Sequence, residues 1–346
     1  MSQTILEQEI REQPLVIQRV LERERPHVAR LAEELRGTFD YVLIAARGTS
    51  DNAARYAQYL LGAHNRLQVA LATPSLYTSY CAPPSLKGAL VLGISQSGRS
   101  PDIIAVVEEA RRQGRPTVVL TNATGSPLAQ AADHVIDLQA GPENAVAATK
   151  TYTSSLAALA LVSSCLAGDD AALAALQKLP VLMQQTLDGL WARMPRVERY
   201  RYMDRCSVVG RGFNYATAFE ISLKVKELTR TVAEPYSSAD FLHGPVAMVQ
   251  AGFPVMVVAP GGQVLEDMRT LTERLVESRA ERIVISDDAE ILKQAHLALP
   301  LPAGVPEWLS PAVAVLPGQL FGLGLAQARG LSPDKPEGIT KVTETW

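Results

Sequence analysis

Residues 90–114, LVLGISQSGRSPDIIAVVEEARRQG, pass from an apolar run into an amphipathic segment through six residues with mainly small polar side chains. The apolar run is typical of a buried strand, and Pro101 suits the first turn of a helix. The six residues from Ser95 to Ser100 therefore form a turn at a helix N-terminus, where unpaired N–H groups and the helix dipole favour an anion. The turn suits a phosphate, and a helix-capping turn without a ligand is the alternative.

The order of strand, polar turn and helix recurs along the chain. Tyr41–Ala46 predicts a strand, and Ser50 or Asp51 is expected to cap a helix that runs through Leu61. Further strands are predicted in ALVLGIS, PTVVLTN and HVIDLQAG. Strands that alternate with helices predict a parallel sheet covered on both faces. RGTS, residues 47–50, is a second polar turn at the carboxyl end of a strand, where open α/β sheets bind ligands.

The chain also repeats itself. AARGTSDNAARY from Ala45 aligns with VGRGFNYATAFE from Val209, 164 residues later, and the same shift carries ISQSG onto VAPGG. One offset that holds for two segments in the same order predicts a tandem α/β duplication. Because Ser95, Gln96 and Ser97 correspond to Ala259, Pro260 and Gly261, we expect only the first half to bind phosphate.

The domain prediction follows from these patterns. Residues 4–36 read as helices broken at Pro14 and Pro26, and two Leu-rich helical stretches separate the halves. The tail from Ser332 is expected to be irregular. We predict N-terminal helices at 1–36, a phosphate-binding domain at 37–195, a second domain with the catalytic Glu and His at 196–330, and an active-site tail at 331–346.

Composition excludes several classes. A formal net charge of -3 and a pI near 6.0 give no basic field for nucleic acid. We expect no uncharged stretch of the roughly 18 to 20 residues that a membrane span needs, no signal peptide, and a cytoplasmic location. The three cysteines, Cys81, Cys165 and Cys206, lack paired spacing and are each expected to be buried. We expect no metal site and no cofactor.

A third group of polar residues lies in the second half. Glu220, Lys224 and Glu227 fall on one face of a predicted helix, which is consistent with a catalytic carboxylate beside a lysine or with an exposed ion-pair face. Periodicity alone favours the exposed face. His243 precedes Gly244 and Pro245, and a histidine considered by itself is more often structural than catalytic.

Several segments resemble the sugar isomerase (SIS) domain family, and within it the isomerase half of glucosamine-6-phosphate synthase. They are RGTSDNA, SQSGRSPD, TNATGSPLAQAAD, ENAVAATKTYTSSL, LKVKELTRTVAEPYSSADFLHGP and ITKVTETW. The resemblance implies two tandem SIS domains, each a parallel sheet flanked by helices in a flavodoxin-like three-layer αβα arrangement. It also implies a phosphorylated sugar as the ligand.

The resemblance assigns roles to individual residues. The residues implied to hold the phosphate are Ser50, Ser95, Gln96, Ser97 and Ser100, and Thr49 and Val146 are implied to contact the substrate. Glu227 matches the base that moves a proton between C1 and C2, and His243 matches the residue that opens the sugar ring. Lys341 matches a tail lysine near the carbonyl, and Lys224 matches another active-site lysine. In the family the histidine comes from a neighbouring subunit, so a homodimer with shared active sites is implied.

The direction of the reaction is less closely defined. Leu242 stands where the synthase usually has Lys, and the chain begins near the predicted helices, so we expect no glutaminase domain. The leading hypothesis is a deaminase that converts glucosamine 6-phosphate to fructose 6-phosphate and ammonia. The alternatives are an aldose–ketose phosphate isomerase, a fructosamine-phosphate deglycase and a non-catalytic sugar-phosphate sensor.

Overall fold

The computed structural model describes residues 3–341, and they form two compact units, each built around one parallel sheet. The first-sheet unit comprises Leu15–Glu143, Lys150–Lys178 and the tail from Thr340. The second-sheet unit comprises the segment up to Pro14, Asn144–Thr149 and Leu179–Ile339. The predicted domain boundary at 195/196 lies inside a 3-10 helix, Trp191–Tyr200.

The first sheet has the strand order β2-β1-β3-β4-β5, and all its pairings are parallel. Its strands are β1 (Tyr41–Ala45), β2 (Gln68–Leu71), β3 (Ala89–Ile94), β4 (Thr117–Thr121) and β5 (His134–Asp137). The helices of this part of the chain are α1 (Ile5–Leu35), α2 (Gly48–Asn65), α3 (Pro101–Arg112), α4 (Pro127–Ala131), α5 (Lys150–Ala167) and α6 (Asp170–Leu176). Strand β3 is buried along its whole length because helices cover both faces.

The second sheet repeats this order as β7-β6-β8-β9-β10. Its strands are β6 (Arg205–Gly210), β7 (Val232–Ser237), β8 (Pro254–Val258), β9 (Glu281–Ser286) and β10 (Leu297–Pro300). Its helices are α7 (Leu179–Leu190), α8 (Asn214–Thr229), α9 (Ser238–Leu242), α10 (Leu265–Glu277), α11 (Ala289–Lys293) and α12 (Ser310–Ala328). Strands β6 and β9 each begin 164 residues after β1 and β4, so the predicted duplication and the fold class are confirmed.

Three local predictions were wrong at helix ends and breaks. Helix α1 is continuous through Pro14 and Pro26, because its buried apolar face outweighs the hydrogen bonds that the prolines remove. Helix α2 begins at Gly48 with Arg47 as its N-cap, so neither Ser50 nor Asp51 caps it. Gly48 has φ of 52°, which starts the helix earlier than the polar residues suggest.

Helix α12 contradicts the expectation that no long uncharged stretch exists. Residues 308–328 carry no charged side chain, and the helix is long and apolar enough to cross a membrane. Most of it is buried inside the protein, where it packs against α8. Ile221 lies so close to Gly318 that a Cβ there would clash. The apolar composition therefore serves a core contact between helices.

The cysteines only partly follow the prediction. Cys165 and Cys206 are buried, and burial raises the pKa of both thiols, that of Cys206 to about 12. Cys81 is exposed instead, and its positive φ of 49° places it in a surface turn. Residues 331–341 contain no helix or strand, which agrees with the irregular tail, and the rest of that prediction concerns residues outside the described range.

Candidate active site

The turn after β3 depends on one glycine and one serine. Gly98 has φ of 61°, and a Cβ added there would lie 2.0 Å from Ser126 Oγ, so no larger residue fits. Ser95 is buried, and its Oγ accepts a hydrogen bond from the N–H of Gly98 at 3.2 Å. The Ser95 hydroxyl is therefore used in shaping the turn itself.

Three other predicted phosphate ligands keep their hydroxyls unbonded. Ser97 is half-buried beside Gly98, Ser100 is the N-cap of α3 without a side-chain cap bond, and Ser50 lies with Thr49 in the first turn of α2. None of these three serine hydroxyls donates to or accepts from another residue of the range 3–341. Helix capping therefore does not account for them, and they remain available to an anion.

An ion pair joins the two polar turns of the first sheet. Strands β1 and β3 are neighbours, so the turns that follow them lie at the same edge. Arg47 Nε lies 2.7 Å from Asp102 Oδ2, and the Asp102 side chain is 1% exposed. In a sheet of this strand order, β1 and β3 flank the switch point where ligands bind. The structure thus brings Ser50 and the Ser95–Ser100 turn to one edge.

The corresponding turn of the second sheet is filled by carboxylates of the chain. The N–H of Gly261 donates to Asp287 Oδ1 at 2.6 Å, and the N–H of Gln263 donates to Glu307 Oε2 at 2.8 Å. These carboxylates occupy N–H groups that would otherwise attract an anion. This explains physically why the second copy can dispense with the serines.

The acidic and basic residues of α8 do not form an exposed face. Glu220 and Lys224 are 0% and 1% exposed, and Glu227 is 23% exposed. Lys224 Nζ lies 2.5 Å from Glu227 Oε2 and 3.5 Å from Glu220 Oε1. Periodicity alone favoured the exposed interpretation, and it was wrong because α12 covers this part of α8. A buried charged group is retained at a cost in desolvation, which is typical of functional sites.

A cavity of 250 Å³ lies beside Glu227. Its lining includes Arg230 and the tail residues Lys335 and Glu337, and Arg230 forms an ion pair with Glu337. A larger cleft of 840 Å³ opens at the amino ends of β6, β7 and β8, and no predicted site residue lines it. Chemistry therefore points to the smaller cavity as the one that holds the candidate base.

His243 lies at the opposite edge of the second sheet from Glu227. Glu227 is close to the end of α8, which returns the chain to the amino edge where β7 begins. His243 follows α9, directly beyond the carboxyl end of β7. Six strand residues span roughly 20 Å, so the two side chains do not meet within this unit. The His243 side chain is exposed and makes no hydrogen bond within residues 3–341.

The remaining predicted residues occupy defined positions. Lys341 Nζ donates to Glu143 Oε2 at 2.9 Å, and Glu143 also accepts from the N–H and hydroxyl of Thr151. Val146 is half-buried, and its N–H donates to the carbonyl of Asp334 at 3.1 Å. Any substrate contact from Val146 must therefore use its carbonyl or its side chain.

Sequence reasoning missed the residues that hold the site together. Arg47 and Asp102 were not selected, although Arg-Gly recurs at Arg211, whose Nε lies 3.3 Å from Asp267 Oδ2 in the second copy. That repetition was a usable signal. Glu143 had none, because its partner Lys341 is 198 residues away in the sequence.

Comparison with known proteins agrees with this geometry. The SIS domain family model matches residues 40–164 and 201–326, one match on each sheet. The chain belongs to the SIS domain family.

Individual relatives narrow the comparison. The chain is 32% identical over 351 residues to the glutamine–fructose-6-phosphate aminotransferase (isomerizing) of Pyrococcus horikoshii, with 96% of this chain and 56% of that protein covered. It is 34% identical over 307 residues to the Halobacterium salinarum protein of the same name, with coverages of 86% and 51%. The chain therefore spans about half the length of the curated relatives it matches.

Solved structures give the same picture. A Silicibacter pomeroyi protein proposed to be a phosphosugar isomerase is 35% identical, with a TM-score of 0.86 and coverages of 96% of this chain and 100% of that one. The glucosamine-6-phosphate deaminase of Thermotoga maritima superimposes with a TM-score of 0.82 over 99% of this chain and 100% of that one. The latter is 22% identical and supports the fold alone.

Proposed function

We propose that this protein is an enzyme of the phosphosugar isomerase type that acts on an amino-sugar phosphate. The observation that carries the proposal is the buried Lys224–Glu227 pair, 2.5 Å apart, beside a cavity. A carboxylate reachable from both C1 and C2 can move a proton between them through a cis-enediol or enolamine. The ammonium group beside it favours the ionised carboxylate, which is the form a base requires.

The phosphate end of the substrate fits the first-sheet unit. Ser50, Ser97 and Ser100 offer hydroxyls that no residue of the described range uses, at a helix N-terminus and at the switch point of the sheet. Gln96 is half-buried in the same turn and adds an amide donor. We infer that Ser95 contributes mainly by shaping the turn, since its hydroxyl already accepts from Gly98.

The finer proposal is deamination of glucosamine 6-phosphate. His243 would open the ring, and Glu227 would take the proton from C2 of the open aldehyde and deliver it to C1. The enolamine becomes a C2 imine with a C1 hydroxyl, and one water then hydrolyses the imine to fructose 6-phosphate and ammonia. Lys341 would stabilise negative charge on the carbonyl oxygen during the transfer. The Thermotoga neighbour carries the name of this activity, on the same fold.

Shared active sites are part of the proposal. His243 and Glu227 lie at opposite edges of one sheet, so a histidine that opens the ring near Glu227 has to come from a second copy of the chain. Its exposed side chain on a loop that ends in Pro245 suits that role. We therefore propose a homodimer, in the cytoplasm where charged sugar phosphates are retained.

A non-catalytic sensor is the weaker alternative. A sensor needs the phosphate turn, but it gains nothing from burying Lys224 between two carboxylates at a cost in stability. An isomerase without loss of nitrogen and a fructosamine-phosphate deglycase use the same base, so product analysis has to separate them.

The deciding experiment incubates the purified 346-residue protein with glucosamine 6-phosphate, N-acetylglucosamine 6-phosphate, a fructosamine phosphate and glucose 6-phosphate. Ammonia and fructose 6-phosphate in equal amounts from the first substrate support the deaminase. Unphosphorylated glucosamine is the matched control and should give no product. Release of fructose 6-phosphate from glucose 6-phosphate alone would support the isomerase, and no turnover of any substrate would favour the sensor.

A further inference from the structure

Glu9 is a buried carboxylate with an unusual set of partners. It lies in the first turns of α1, is 3% exposed, and accepts hydrogen bonds from two consecutive backbone N–H groups. These donors are Asn144 at 2.5 Å and Ala145 at 3.3 Å. A charged acceptor that holds two N–H groups restrains a loop more strongly than a neutral acceptor does. Glu9 thereby holds the start of the loop 144–149.

The same loop contacts the tail, and the tail returns to α1. The N–H of Val146 donates to the carbonyl oxygen of Asp334 at 3.1 Å. The carboxylate of Asp334 accepts from the N–H groups of Ile5 at 3.1 Å and Leu6 at 2.8 Å. These two donors are first-turn N–H groups of α1 that have no partner within the helix. Asp334 therefore caps a helix that lies more than 300 residues away in the sequence.

These contacts close a ring of three segments within the second-sheet unit. Helix α1 holds the loop through Glu9, the loop holds the tail through Val146, and the tail holds α1 through Asp334. Each segment contacts both of the others. Backbone groups that lack regular secondary structure are satisfied by this ring rather than by a strand or helix.

We propose that Glu9 and Asp334 are positioning residues, which fix the loop that carries Val146 and the base of the tail that leads to Lys341. This inference rests on the proposed function for its catalytic consequence, because the roles of Val146 and Lys341 belong to that proposal. It assigns the N-terminal helix a part in forming the site, since α1 supplies both an anchor and a capped end.

The ring makes a prediction that separate local contacts do not. Asp334→Ala removes only the cap of α1 and leaves the Asp334 carbonyl, so the acceptor for Val146 is chemically unchanged. If the ring acts as a unit, loss of the cap should still raise hydrogen exchange at the Val146 amide, by about tenfold for one lost bond to a charged group. Asp334→Asn keeps one side-chain oxygen and should give a smaller rise.

Glu9→Gln tests the opposite side of the ring. The amide keeps one acceptor oxygen but presents an NH₂ group to backbone donors, so exchange at Asn144 and Ala145 should also rise about tenfold. Glu22→Gln, an exposed glutamate on the same helix bonded only by Gln18, is the matched control and should change neither loop. Unchanged exchange at Val146 in Asp334→Ala, with the cap shown to be lost at Ile5 and Leu6, would overturn the ring.

Kinetics then test the positioning role. We expect Glu9→Gln and Asp334→Ala to raise KM for the sugar phosphate about tenfold with kcat within about twofold, and the double variant to be less than additive. Equal loss of kcat and kcat/KM would contradict positioning of bound substrate. The exchange measurement needs no substrate. An inactive wild-type protein with a coupled ring would therefore refute the proposed function and leave the ring intact.

Discussion

Arg47 Nε donates to Asp102 Oδ2 across 2.7 Å, and this ion pair fastens the start of α2 to the first turn of α3. Both turns carry predicted phosphate ligands. The Asp102 side chain is buried, whereas Arg47 is half exposed. The pair therefore aligns two hydroxyl-bearing turns, and its removal should affect stability and substrate binding together.

We expect Arg47→Ala to lower the free energy of unfolding by about 1–3 kcal/mol, because it leaves a buried carboxylate without its ionic partner. Urea denaturation measures this. Arg211→Ala is the matched control, since its partner Asp267 is 55% exposed and the pair should contribute less than about 1 kcal/mol. Equal losses in the two variants would show that burial of Asp102 does not set the strength of the pair.

For the phosphate turn, we expect Ser97→Ala with Ser100→Ala to raise KM for the phosphorylated substrate without changing the melting temperature. Each lost bond to a charged group is worth about 1.5–3 kcal/mol, or roughly 10-fold to 150-fold in affinity. Ser95→Ala should instead lower stability, because its hydroxyl accepts from Gly98. Normal substrate affinity in the Ser97/Ser100 double variant would remove these residues from the phosphate site.

Glu227→Gln should reduce turnover by about 10²-fold or more while substrate binding persists, because the amide keeps the shape and removes the base. Exchange of the C2 or C1 hydrogen with deuterated solvent is the direct readout. Glu273→Gln, exposed on α10, serves as the control and should retain full activity. Continued hydrogen exchange in Glu227→Gln would identify a different base.

Mixing inactive chains tests whether two copies share each site. If His243 serves the partner's site, refolding His243→Ala together with Glu227→Gln should restore about a quarter of wild-type activity, since half of the dimers then hold one intact site. Each variant refolded alone should stay inactive. A mixture that exchanges subunits, as verified by mass, yet remains inactive would mean that each chain builds its own site.

The cysteines give a prediction that is independent of activity. Folded protein at pH 8 should expose one reactive thiol, Cys81, and denatured protein should expose three, as counted with a thiol reagent. Burial raises the pKa of Cys206 to about 12, so above pH 8.5 the unfolded thiol loses its proton while the folded one keeps it. Stability should therefore fall as the pH rises from 8.5 towards 11, and less so in Cys206→Ala. Three reactive thiols in the folded protein would contradict the burial.

Local patterns in the sequence were sufficient for much of the fold. Apolar runs predicted strands β1, β3, β4 and β5, and the offset of 164 residues predicted the second sheet, because strand and helix periodicity are encoded within a few neighbouring residues. Strand β2 was missed, since Gln68–Leu71 is short and only half-buried. The site residues named from the resemblance stay predictions, and the structure adds where each one lies.

The sequence by itself determined which residue types occur in which order: the serine turn, the duplicated Arg-Gly motif and the Glu-Lys-Glu spacing of α8. Only the tertiary structure decided that this spacing is buried, since α12 covers it from 90 residues further along the chain. It likewise decided that Asp287 and Glu307 fill the second turn, and that Glu227 and His243 lie at opposite edges of one sheet. Burial and pairing between distant segments depend on how whole elements pack, and no local pattern records that packing.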